Sequence, residues 1–208
     1  MMLKTDIANK ALGHLGITSR LTDLETDISN EGRVLRSFMR DAIDYVLEQH
    51  YWTFATRTAV LAKHSDDPEN NFRFAYYMPV NSLVIREVAC DGNFLNPRYE
   101  HYHDQIPQFE ERNLGNSNVI FTSVENAHAK YTERLSDNLS FKSYFGRGVA
   151  GRLALEAGPA LIAHNWPKVM NVITTRANNE ISAAIAEDIA RSPQKRYPEP
   201  PTVRVRYR

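Results

Sequence analysis

Apolar residues recur at helical spacing in four stretches of this chain, and between the second and third the period changes. Ile7, Ala8, Ala11, Leu12 and Leu15 predict a first helix over 5–15, with Thr5 or Asp6 placed to accept from its free amides and Gly16 to close it. Polar residues and threonines interrupt the pattern from Thr18 to Thr26. Asp27 or Ser29 then opens a second helix over 28–50, with Val34, Leu35, Phe38, Met39, Ala42, Ile43, Val46 and Leu47 along one stripe. Such a stripe is expected to do no more than pack a core.

From Tyr51 to Leu135 the helical period is lost. Short β-prone runs (Thr58 to Leu61, Leu83 to Val88, Val119 to Thr122, Ala129 to Thr132) alternate with Asp-Asp-Pro, Asp-Gly-Asn and Leu-Gly-Asn-Ser-Asn punctuation. A small antiparallel sheet over about 56–135, inserted between helices, accounts for them. A third helix is expected over 139–164, interrupted by Gly146, Gly148, Gly151, Gly158 and Pro159. Pro167 suits the start of a fourth over 167–191, carried by Val169, Val172, Ile173, Ala177, Ile181, Ala184, Ile185 and Ile189. No internal repeat is visible. The expected class is mainly α: a helical bundle with a small inserted antiparallel sheet as a body over 1–191, followed by an extended C-terminal arm over 192–208.

The arm differs in kind. Pro193, Pro198, Pro200 and Pro201 oppose helix, and five cations (Lys195, Arg196, Arg204, Arg206, Arg208) face Glu199 alone. Val203, Val205 and Tyr207 alternate with the three last arginines, as in a strand with one apolar face. Seventeen such residues bury too little to order themselves. A strand that completes a foreign sheet edge or groove accounts for the alternation, with Arg196, Tyr197, Val203, Arg204, Val205, Arg206, Tyr207 and Arg208 as the docking residues. A solubilising tail and a nucleic-acid tail are the alternatives.

Composition narrows the function classes. With 208 residues, 42% hydrophobic and 24% charged, one self-sufficient domain is expected. Cations and anions balance at 25 each, so the body has no global pull toward nucleic acid or an anionic membrane. Cys90 is the single cysteine, which excludes an intrachain disulfide. The start lacks the apolar run of a signal peptide, and no stretch approaches the ~20 apolar residues of a membrane span, so residence in the cytoplasm until something assembles the chain is expected.

Candidate chemistry is thin. Gly146-Arg147-Gly148-Val149-Ala150-Gly151 spells a dinucleotide fingerprint, but it follows a helical segment and no acid lies between Glu156 and Glu180 to hold a ribose. Glycines that admit a neighbouring helix explain it better. Glu100-His101-Tyr102-His103-Asp104 places two imidazoles on one strand face, but no third zinc ligand has diagnostic spacing. Glu110 and Glu111 are conceivable as a glycosidase pair, a matter that carboxylate separation decides. No phosphate loop, paired-histidine metalloprotease helix or nucleophile elbow occurs. The expectation is a protein without catalytic residues, cofactor or metal.

Five segments, in order, resemble the tail tubular protein A family of phage head-to-tail adaptors. They are Ala8-Asn9-Lys10-Ala11-Leu12-Gly13-His14-Leu15-Gly16; Arg40 through Tyr51-Trp52-Thr53-Phe54-Ala55; Ala75-Tyr76-Tyr77-Met78-Pro79-Val80-Asn81-Ser82-Leu83-Val84-Ile85; Ala129-Lys130-Tyr131-Thr132 through Asp137; and Phe145 through Leu153-Ala154. Asn81 departs from the family's Asp after the proline. The resemblance implies a structural virion protein: a ring of about a dozen copies joining the portal to a downstream nozzle or tail-tube protein, with the genome passing unread through its lumen. Trp52, Phe54, Pro79, Tyr131 and Phe145 carry the signature, as structural residues. A head-completion or connector protein of a long-tailed phage is the near alternative, and a virion-borne cell-wall hydrolase or a nucleic-acid-binding module the more distant ones.

Overall fold

Helix α1 (Lys4–His14) begins where the Asp6 carboxylate turns back to accept from the Leu3 amide at 2.9 Å, and Gly16, at φ +75°, ends the segment in the left-handed region that a side chain disfavours. The computed structural model describes residues 1–65, 68, 71–92, 94, 108–136 and 141–191. Helix α2 (Asn30–Glu48) is capped by Ser29, whose hydroxyl accepts from the Gly32 amide at 3.0 Å. Asp27 buttresses this cap by accepting from the Ser29 amide at 2.8 Å, and the Ser29 hydrogen bonds hold its carboxyl below the usual range. The polar link between α1 and α2 is fastened from both sides. The Asn9 amide pairs with the Leu21 backbone in both directions, at 2.9 and 2.8 Å, and Arg36 donates to the carbonyls of Leu24 and Glu25 at 2.6 Å each.

Helix α3 (Ser143–Leu161) packs against all three other helices, which explains why Tyr144, Phe145, Val149, Ala150, Leu153, Ala154 and Ala157 bury more than one face of it. It runs unbroken through the glycines and Pro159 that were expected to interrupt it, because those glycines are filled from outside by neighbours. Helix α4 (Trp166–Arg191) lies antiparallel to it: Gly158 meets the Trp166 ring, Gly151 meets Ala177, and Gly148 meets Ile181. At Gly151 a Cβ would stand 2.9 Å from the Ala177 Cα and 3.0 Å from a Glu180 carboxylate oxygen, so the backbones are as close as glycine permits. The fingerprint-like glycines are thus inside a helix, at its packing face.

Between α2 and α3 the described residues form six strands: β1 (Thr56–Val60), β2 (Phe74–Tyr77), β3 (Ser82–Cys90), β4 (Phe109–Leu114), β5 (Ser117–Thr122) and β6 (Ala127–Glu133). They make two antiparallel three-stranded sheets, β1-β6-β3 and β2-β5-β4. Leu61, Tyr76, Ile85, Val88, Ile120, Ala129 and Tyr131 form one cluster drawn from both sheets, so the sheets bury their apolar faces on each other. A second link is the Glu111 carboxylate on β4, which accepts from the Ile85 amide on β3 at 3.3 Å.

The expectation of a mainly α protein with one small sheet is therefore overturned: four helices and two three-stranded sheets make an α+β fold. The reason is physical. Strand β4 is almost wholly charged or polar and exposed along its length, so it carries no period-2 signal, and β2 is only four residues long. Both become strands by pairing with β5.

Two glycines give opposite expectations. Gly151→Ala should lower stability by about 1–3 kcal/mol, because the added methyl overpacks the α3–α4 contact. Gly13→Ala in α1, where nothing lies within 4 Å, should raise it by about 0.4–1 kcal/mol. Urea unfolding of both variants beside the parent tests the pair, and equal effects would refute the close approach.

Candidate functional site

The chain leaves α2 at Glu48 and enters β1 at Thr56, and the residues between them make the joint between the helices and the sheets. Trp52 is fully buried there. Its indole N–H donates to the Val46 carbonyl at 2.8 Å, satisfying one of the acceptors a helix leaves free in its last turn. Its ring stacks on Tyr144 and meets Phe145 edge-on, with centroids at 6.3 and 5.1 Å. Phe54 meets Phe145 edge-on at 5.2 Å. These aromatic contacts come from the two ends of a long sequence gap and hold the start of β1 against α3.

Asp188, on the last turns of α4, closes the joint and is wholly buried. Its carboxyl accepts from the Thr53 amide at 3.0 Å, the Thr53 hydroxyl at 2.9 Å and the Tyr144 hydroxyl at 2.7 Å. His50 Nε2 lies 3.5 Å away. Burial pushes the His50 imidazole below its ordinary value of 6.5, against the pull of Asp188 and with help from Arg86, so this contact is one of a neutral ring at pH 7. Burial, and then the hydrogen bond given to Asp188, push the Tyr144 phenol up to about 12.

From the sheet side, Arg86 on β3 reaches the open end of α2. Its guanidinium donates to the carbonyls of Leu47, Glu48 and His50 at 3.2, 2.9 and 3.1 Å, and its Nε donates to the Thr132 hydroxyl on β6 at 2.9 Å. A cation at a helix C-terminus is favoured by the partial negative charge there. Tyr51 lies under this guanidinium, at 5.0 Å, and donates to the Arg86 carbonyl at 3.1 Å.

Beside the joint is a cleft of 510 Å³. Phe54, Leu135 and Phe141 line it with apolar surface, and Arg40 of α2, Arg57 of β1, Arg134 and Lys142 stand around it. Arg57 pairs with Glu133 at 3.0 Å and Arg134 with Asp44 at 2.9 Å. Burial raises the Asp44 carboxyl, with Arg134 and Arg40 opposing. The cleft thus combines positive charge with apolar contact, and the Glu133 carboxylate in its lining is paired with Arg57.

Of the signature residues, Trp52, Phe54 and Phe145 are brought together. Tyr131 sits elsewhere, buried between the sheets. Pro79 begins the β2–β3 turn, where its carbonyl accepts from Ser82 at 3.1 Å. Asn81, the departure from the family pattern, has φ +61° in that turn, a conformation that asparagine tolerates. The expected docking residues Arg196, Tyr197, Val203, Arg204, Val205, Arg206, Tyr207 and Arg208 lie outside the described residues, as do His101 and His103. Glu110 and Glu111 are consecutive on β4 and so point to opposite faces: Glu110 pairs with Arg112 at 2.7 Å, while Glu111 bonds β3. They do not form a catalytic pair. Among the described residues no three His, Cys, Asp or Glu side chains gather into a metal site, and no helix is long and apolar enough to cross a membrane.

Sequence reasoning missed Asp188, Thr53, Tyr144, Arg86 and the cations of the cleft. One signal for Asp188 was present: it follows Ile181 and Ala184 by seven and four residues, an acid set on the buried stripe of its helix. No protein-family model matches this chain, and no curated protein matches it either.

Asp188→Ala should cost about 1–3 kcal/mol, since it strands the buried Tyr144 hydroxyl and removes both hydrogen bonds to the exposed Thr53, whereas Tyr144→Phe should cost only about 1 kcal/mol. Chemical denaturation decides between them, and a neutral Asp188→Ala would refute the role of the joint. Stability should also fall on mild acidification. Burial, with Arg176 and Lys10, holds His14 at about 4, below its ordinary 6.5, so the unfolded chain takes that proton first. Its contribution is intact above pH 6.5 and is lost as the pH falls toward 4. Glu180, whose carboxyl burial pushes up, acts in the opposite direction, so the readout is the difference between parent and His14→Gln. That difference should shift in favour of the variant below pH 6.5; a pH-independent gap would refute it.

Proposed function

We propose that this chain is a structural subunit of a phage virion, one copy in the head-to-tail adaptor ring that joins the portal to the tail and lines part of the DNA passage. The observation that carries this reading is the ordered set of segments resembling that family, together with the way three of its signature residues, Trp52, Phe54 and Phe145, meet at one joint. A subunit under packaging and ejection loads needs its two halves fixed to each other, and buried aromatics with a satisfied carboxyl do that.

The surface is consistent with assembly. Ile28, Val80 and Val172 are exposed on three separate elements, at 89%, 85% and 67%. A ring uses heterologous contacts, one patch of a subunit meeting a different patch of the next, so apolar points on more than one side serve it. In this reading the partners are the portal, the downstream nozzle or tail-tube protein and further copies of the chain. DNA passes without sequence recognition, and no catalytic step is assigned.

The test is to mix the full-length protein with its cognate portal and follow sedimentation and electron micrographs. Rings of about a dozen copies on the portal are expected. Removing residues 192–208 should abolish attachment while leaving the unfolding curve unchanged. A chain that stays monomeric and never binds the portal overturns the proposal, as does clearing of a cell-wall suspension by the purified protein.

A further inference from the structure

The cleft beside the joint has a composition that structural packing alone does not require. Its floor is apolar: Phe141 is 2% exposed, and Phe54 and Leu135 are half-buried. Its rim carries the side chains of Arg40, Arg57, Arg134 and Lys142, all exposed; among the described residues one carboxylate, Glu133, stands in the lining, and Asp44, which feels both Arg134 and Arg40, lies behind Arg134. At 510 Å³ it falls within the ~300–1,000 Å³ of ordinary ligand pockets. Arg57 and Arg134 each meet their carboxylates through Nε. A guanidinium has five N–H donors in a fork; Arg57 also turns its Nη1 to the Phe54 and Thr56 carbonyls at 3.4 and 3.2 Å, which leaves its second terminal nitrogen, and the terminal nitrogens of Arg134, to meet an incoming anion.

We propose that this cleft binds an acidic peptide segment of a partner protein, seating one apolar side chain on Phe54 and Leu135 while flanking carboxylates meet the cationic rim. The two halves of the lining call for a ligand that offers both features within a few residues, and an aliphatic or aromatic residue among aspartates and glutamates does so. Nucleic acid fits less well. It supplies the charge, but with Phe141 buried only Phe54 could take a base, and the neighbouring Leu135 offers it aliphatic contact rather than a second stacking ring. The cations also come from α2, β1 and the β6–α3 link, so the rim exists only in the folded α+β body and not along one helix. The inference does not depend on ring assembly, since it uses only the chemistry of one subunit.

The experiment is an anisotropy titration of the full-length protein with a labelled peptide of about a dozen residues, Asp and Glu flanking a central Leu-Phe pair. Saturable binding is expected, weakened about tenfold by Arg40→Glu and again by Lys142→Glu, and weakened by a rise in salt. Both sites are exposed, and unchanged circular dichroism will establish that the variants fold. Replacing the Leu-Phe pair by Ser-Ser should also weaken binding, which a purely ionic attraction would not show. Lys168→Glu, in the first turn of α4 and outside the cleft's lining, should leave it unchanged. The proposal is overturned if the peptide does not saturate, if Arg40→Glu and Lys142→Glu leave its affinity intact, or if a single-stranded oligonucleotide binds the cleft more tightly than the peptide does.

Discussion

The body of this protein turns on a single buried carboxyl. Asp188 sits with no exposure near the end of α4 and takes three hydrogen bonds from Thr53 and Tyr144, which belong to the α2–β1 link and to α3. Buried polar groups are expensive unless satisfied, and satisfied ones are directional where apolar contacts are not. Trp52, Phe54 and Phe145 supply the burial at the joint, while the carboxyl, with the Trp52 indole bond to Val46, specifies where the β1 entry meets the helices. The cost of breaking such a node falls on three elements at once.

Arg86 complements this arrangement from the opposite side. By donating to three carbonyls at the end of α2 and to Thr132 on β6, it ties the sheet β1-β6-β3 to the helical layer through a group that stays charged at any physiological pH. The helical cluster and the inter-sheet cluster are separate, and hydrophobic burial by itself would let them settle in several relative orientations. Asp188 and Arg86 remove that freedom. A fixed angle between the layers gives the cationic cleft its shape, because the cleft's walls come from both layers.

Much of the helical half was legible in the sequence. Ser29 and Gly16 mark their helix ends by mechanisms that act within a few residues, and the stripe from Val34 to Leu47 admits one periodicity. The two sheets were less legible. β5 and β6 carry apolar runs, but β4 owes its strand state to a partner and to a two-residue turn at Gly115-Asn116, so its own residues predict little. The expected interruption of α3 failed for a related reason: glycine weakens an isolated helix, yet here Ala177, Ile181 and Trp166 occupy the space each glycine leaves. The joint was half visible. Trp52 and Phe54 stood out by their local pattern, whereas Asp188 reaches Thr53 across 135 positions, and the cleft unites Arg40 with Lys142 from opposite ends of the sheet region. Sequence spacing carries no record of such pairings.

Strand β4 bears a further implication. The outer side of β2 is covered by the 62–64 segment, through the His64 and Tyr77 amides at 2.8 and 2.9 Å, so among the described residues β4 forms the open margin of its sheet, with Glu110, Glu111 and Arg112 at its centre. Side chains of mixed charge on an outer strand discourage another molecule's strand from zipping onto its unpaired amides and carbonyls. The same residues that hid β4 from pattern recognition therefore act against strand-to-strand association at this margin.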